Sequence, residues 1–99
     1  MAFKEIIWSK LAETELLNVL DFYIQNNGSP TYSVKLLHEV EELMDLIRRN
    51  EFIGRLTANK FTRVIPIKHY AVFYEVNHNS IVIVSFWDNR QNPERNKIR

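Results

Sequence analysis

The sequence predicts an α+β domain in which a helical hairpin packs on one face of a small, mainly antiparallel sheet, in the order β-α-α-β-β-β. Three observations predict it. Residues 9–26 and 29–49 carry apolar side chains at spacings of three and four, the mark of amphipathic helices. Only about three residues separate them, which forces an antiparallel hairpin. Residues 61–87 instead hold β-branched and aromatic runs broken by turn signals, the mark of strands. A chain of 99 residues makes one domain, spanning 1–99.

Phe3 to Trp8 is short, aromatic and β-branched, so it reads as a first strand. Ser9 offers an N-cap oxygen to the first helix, whose stripe is Ala12, Leu16, Val19, Leu20 and Tyr23. Asn27-Gly28 ends it, because glycine takes the left-handed conformation past a helix end. Ser29-Pro30 starts the second helix, with serine as N-cap and proline at the first helical position. Leu36, Leu37, Val40, Leu43, Met44 and Ile47 share one face as far as about Arg49, with Glu39, Glu41, Glu42 and Asp45 mostly outside it. A loop holding Ile53-Gly54-Arg55 leads to strands at Phe61–Ile67, Tyr70–Val76 and Ser80–Trp87. Asn77-His78-Asn79 makes the last two a hairpin, and Pro66 places its strand at an edge or a bulge. A polar tail begins at about residue 89. The helices cover one sheet face only, so the other is expected to stay open, with Ala71 and Phe73 on one side and Val72 and Tyr74 on the other.

Composition narrows the function. With 45% hydrophobic and 25% charged residues the chain is neither disordered nor fibrous. It has no cysteine, which excludes disulfides, thiolate nucleophiles and sulfur-ligated zinc and fits a reducing cytoplasm. The start, MAFKEIIWSK, lacks a basic region followed by an apolar one, and no run is long enough to span a bilayer. The expectation is a soluble cytoplasmic protein without membrane contact. Its net charge of +1 is polarised: three basic against eight acidic side chains in 1–47, ten against four in 48–99. Such a basic half suits a partner with phosphates or carboxylates, although two solvated faces of opposite sign would look the same.

The chemistry-bearing residues are few. His38, His69 and His78 have no ligand-like spacing, so no metal is expected. No G-x-S-x-G surrounds a serine, and two glycines cannot form a phosphate-cradling loop, so no nucleotide or other cofactor is expected. Arginine remains. Arg48, Arg49, Arg55, Arg63, Arg90, Arg95 and Arg99 all lie in the basic half, and guanidinium binds phosphate or carboxylate through paired hydrogen bonds. A metal-free phosphodiester cleavage needs such a cation and a base, for which His69 is the candidate. The plainer reading, which we weight above it, has His69 ending a turn.

Trp8 before a helix bearing Ala12, Leu16 and Tyr23, I-G-R at 53–55, Arg63, H-Y-A-V-F-Y-E-V at 69–76 and D-N-R-Q-N-P-E at 88–94 together resemble the RelE/ParE superfamily of type II toxin–antitoxin toxins. The resemblance covers essentially the whole chain and rests on order and spacing, with no single decisive motif. It implies one of two activities: ribosome-dependent mRNA cleavage without metal, as in RelE-type toxins, or poisoning of DNA gyrase, as in ParE-type toxins. The cutters carry an arginine three positions before the middle-strand tyrosine and often a terminal tyrosine or histidine. Here Ala71 stands three before Tyr74, and no tyrosine or histidine follows His78. The resemblance is therefore closer to ParE, with gyrase as target, a co-encoded antitoxin as partner and, leaning, no enzymatic step of its own. It implies target contact by Arg55, Arg63, Trp87, Arg90 and Arg95. If the protein were instead a metal-independent endoribonuclease acting on ribosome-bound mRNA, Arg63, His69 and Arg90 would be its catalytic residues. A third reading is a degenerate, non-toxic module that only binds an antitoxin.

Overall fold

The computed structural model describes residues 3–90. β1 (Glu5–Trp8) begins two residues later than the sequence suggests, then hands over to α1 (Lys10–Asn27) at Ser9. The extended Ser9 backbone lets its hydroxyl oxygen accept the Ala12 amide at 3.0 Å. Gly28 ends α1 at φ 66°, and its amide returns to the Ile24 carbonyl. α2 (Thr31–Arg49) begins one residue later than expected, so Pro30 occupies the boundary and the Ser29 hydroxyl reaches the Thr31 amide at 3.2 Å. Ser33, buried in α2, donates to the Leu20 carbonyl at 2.6 Å and ties the hairpin together.

One strand was not legible. β2 (Arg55–Leu56) replaces the expected loop, pairing antiparallel with β3 (Thr62–Ile67). β4 (Tyr70–Val76) and β5 (Ser80–Asp88) complete a mixed sheet of order β1-β5-β4-β3-β2, in which only β1 and β5 run parallel. The expected α+β architecture thus holds, enlarged by an edge strand. Along β3 the Thr62 carbonyl faces β2, where it accepts the Thr57 amide at 2.8 Å. Alternation turns Val64 and Pro66 the same way. Pro66 therefore presents its missing N–H to the free edge beyond β2 and not to β4.

Between β4 and β5 the register slips: Phe73 faces Ser85 and Tyr74 faces Ile83, leaving Val84 unpaired. α1 repairs this bulge. The Ser9 hydroxyl donates to the Val84 carbonyl at 3.2 Å, and the Glu15 carboxylate accepts both the Phe86 amide and the Ser85 hydroxyl at 3.0 Å. The main core lies under the hairpin and joins Ala12, Leu16, Leu36, Val40 and Ile47 to Tyr70, Val72, Tyr74, Ile81, Ile83 and Phe86.

On the opposite face the expected open apolar surface is corrected. Ala71 is only 7% and Phe73 only 3% exposed, in a second cluster with Val64, Val84 and Trp87. Cross-strand neighbours shield them, Trp87 opposite Ala71 and Val64 opposite Phe73. Residues 91–99 of the polar tail lie outside the described residues.

Candidate functional site

Tyr70 and Tyr74 share one face of β4, four positions or about 13 Å apart. Each anchors a different polar cluster. At Tyr74 the cluster fixes the 51–54 segment. The phenol donates to the Glu51 carbonyl at 3.0 Å and accepts the Gly54 amide at 2.8 Å. Burial raises the Tyr74 pKa, opposed by the Gly54 amide and the Arg63 charge. Arg63, paired with Tyr74 across the ladder, donates to the Phe52 carbonyl at 3.1 Å and the Gly54 carbonyl at 2.7 Å, with its guanidinium 5.0 Å from the centre of the Phe52 ring. The approach is too close for any residue but glycine, since a Cβ on Gly54 would stand 2.8 Å from the Tyr74 ring and hydroxyl.

At Tyr70 the cluster borders a groove of about 420 Å³ between α1 and the end of β5, with Val19, Phe22, Tyr23 and Phe86 among its walls. The Tyr70 hydroxyl lies 3.4 Å from that of Tyr23, to which it donates, and its ring stacks on Phe86 at 5.0 Å. Burial, then this hydrogen bond, pushes the Tyr70 pKa well up; donation from Tyr70, then Arg90, pulls that of Tyr23 down. Arg90 grips both Asp88 oxygens at 2.9 and 2.8 Å while its backbone amide adds a third bond at 2.9 Å. That grip holds the Asp88 carboxyl below its ordinary range. The guanidinium also reaches the Tyr70 hydroxyl at 3.4 Å and lies 5.8 Å from the centre of its ring.

The sequence-predicted residues therefore divide. Arg90 is exposed at the groove, and His69 lies nearby in the β3–β4 turn, its carbonyl accepting the Asn89 amide at 2.9 Å. Arg63 is four positions along the sheet from them and bound to two carbonyls, so Arg63, His69 and Arg90 do not converge on one point. Arg55 is exposed on β2, Trp87 is half-buried in the second cluster, and Arg95 lies outside the described residues. Ala71 sits between Pro66 and Trp87, its methyl in the same cluster. Sequence reasoning missed Glu15, Asp88 and the linked tyrosines. Glu15 left a signal, an acid three residues after Ala12 and four before Val19, at the margin of the apolar stripe. Among the described residues no group of three or more His, Asp or Glu is placed to hold a metal ion, and no helix is long and apolar enough to cross a membrane.

Among solved structures the chain is similar to one described as "Chromosomal ParDE TA system from P. aeruginosa", with a TM-score of 0.73 and 18% identity over 87% of this chain and 96% of that one. At that identity the likeness establishes the fold. A search of curated proteins finds no match. The family model described as "ParE toxin of type II toxin-antitoxin system, parDE" matches residues 6–93, from the first strand through the groove and past Arg90. With nearly the whole chain matched by the family model, this protein belongs to the ParE toxin family of type II toxin–antitoxin systems.

Proposed function

We propose that this ParE-family toxin acts in the cytoplasm by inhibiting DNA gyrase and is neutralised by a co-encoded antitoxin. The observation that carries the reading against mRNA cleavage is Ala71. Metal-free cleavage must neutralise charge developing on the phosphate and take a proton from the 2′-hydroxyl. The place from which RelE-type toxins would supply the cation holds a buried methyl group, 7% exposed. The cation near His69, Arg90, is already held by Asp88. A toxin without that apparatus must act by occupying its target. We assign target contact to Arg55, Trp87 and Arg90, with Arg63 bracing the segment beside Arg55.

The test is direct. The purified protein should block supercoiling by gyrase and leave mRNA intact on programmed ribosomes. Arg90→Ala should abolish toxicity on induced expression while changing stability by less than about 0.5 kcal/mol, as exposed substitutions do. Cleaved mRNA would establish the ribonuclease reading, and a harmless wild-type protein the degenerate one.

A further inference from the structure

Glu15 carries a charge that its structural duty does not require. Its Oε1 accepts the Phe86 amide and the Ser85 hydroxyl, both at 3.0 Å, and so satisfies the bulge in β5. A glutamine carbonyl would accept the same two bonds. Both donors are neutral, and among the described residues no lysine, arginine or histidine pairs with this carboxylate, whose second oxygen accepts no hydrogen bond. The negative charge is pinned in place and uncompensated. It stands in the wall of the groove between α1 and the end of β5, where the other acid, Asp88, is already neutralised by Arg90. Glu15 and Asp88 against Arg90 leave one net negative charge among the described lining residues.

The rest of the lining says what would answer that charge. Phe22, Tyr23, Tyr70 and Phe86 are aromatic, and a carboxylate among aromatic rings favours cations, since ring faces and carboxylate attract the same sign. Arg90 shows the preference at work, its guanidinium 5.8 Å from the centre of the Tyr70 ring, but Asp88 holds it and Glu15 goes without. Glu15, Val19 and Phe22 follow one another along one face of α1, at spacings of four and three that span about 10 Å. Phe22 is 55% exposed, which leaves apolar area for a stem to lie on. Size sets the class of occupant. A groove of about 420 Å³ falls within the range of small-molecule sites, about 300–1,000 Å³. We propose that this groove binds a small organic ammonium, its cation at the open oxygen of Glu15 and its apolar or aromatic stem along Val19 and Phe22. The site is separate from the gyrase reading and stands whether or not gyrase is the target.

The probe is phenethylammonium, with phenethyl alcohol and hydrocinnamate as its neutral and anionic counterparts, each titrated by NMR into isotope-labelled wild type, Glu15→Gln and Phe22→Ser at neutral pH. Thermal midpoints are measured in parallel. The expected result is a saturable shift of the Asn18 and Phe86 amides with the ammonium. Affinity should fall at least about tenfold for the alcohol, for the acid and for Glu15→Gln with the ammonium, and should fall in Phe22→Ser as well. Both midpoints should stay close to wild type, because glutamine keeps the two bonds to β5 and Phe22 is largely in solvent. Equal binding of ammonium and alcohol, or undiminished ammonium binding by a folded Glu15→Gln or Phe22→Ser protein, reduces the groove to an apolar cleft and overturns the proposal. So does the absence of any saturable shift at these amides. Should Glu15→Gln fail to fold, the three ligands on wild type and the Phe22→Ser protein still decide.

Discussion

The Ser9 hydroxyl accepts from Ala12 and donates to the Val84 carbonyl, so one oxygen both caps α1 and satisfies the bulge in β5. Ser9→Ala removes a cap worth about 1–2 kcal/mol and leaves a carbonyl without its donor, at a further cost of about 1 kcal/mol or more. The expected fall in thermal midpoint is about 8 °C or more, with Ser9→Thr close to wild type. A second side chain speaks through pH. Arg90 depresses the Asp88 pKa, so the ion pair stabilises the fold above the ordinary carboxylate value of about 3.9 and loses that contribution as pH falls through the lower folded value. Arg90→Ala should move the Asp88 midpoint back up in an NMR titration, while the loss of this half-exposed pair changes stability by no more than about 0.5 kcal/mol. An Asp88 midpoint unmoved by the substitution would show that the guanidinium is not its partner in solution.

At the scale of elements, Pro66 protects an edge. Replacing it by threonine restores an N–H on the exposed side of β3 and should promote self-association in sedimentation velocity, with little change in the monomer's melting. The elements themselves were largely legible. α1, α2, β3, β4 and β5 each hold several turns or alternations of apolar residues, enough for a period to show. β2 was not legible, because two residues carry no period and Arg55-Leu56 pairs only through β3. The functional clusters were less legible for a related reason. Arg63 looks in sequence like a cation for a phosphate, since nothing local shows that the chain will bring the Phe52 and Gly54 carbonyls to it. Tyr70 and Tyr74 read as core, which they are, but their hydroxyls find partners 47 and 23 residues away.

Across the whole molecule, the groove at Tyr70 and the segment at Gly54 lie about 13 Å apart along β4. If an antitoxin binds only the folded toxin, mass action fixes the size of its effect. At a hundredfold excess over Kd it adds about 2.7 kcal/mol, a rise in midpoint of roughly 10–20 °C for a chain of this length. Calorimetry with and without the co-encoded antitoxin measures it, and an unchanged midpoint would argue against such a partner.

The parallel pairing of β1 with β5 joins residues 5–8 to residues 80–83, almost the full length of the described chain. Nothing made earlier can substitute for it, because Ile81, Ile83 and Phe86 supply core contacts for both α1 and β4. A fragment ending at residue 79 should therefore show no cooperative melting transition. On the ribosome the same constraint becomes a matter of timing. At about 5–20 residues per second, the first strand waits several seconds for its neighbour to be synthesised. During that interval the nascent chain lacks the folded surfaces by which a toxin could act, so topology itself delays the onset of its activity until β5 has been synthesised.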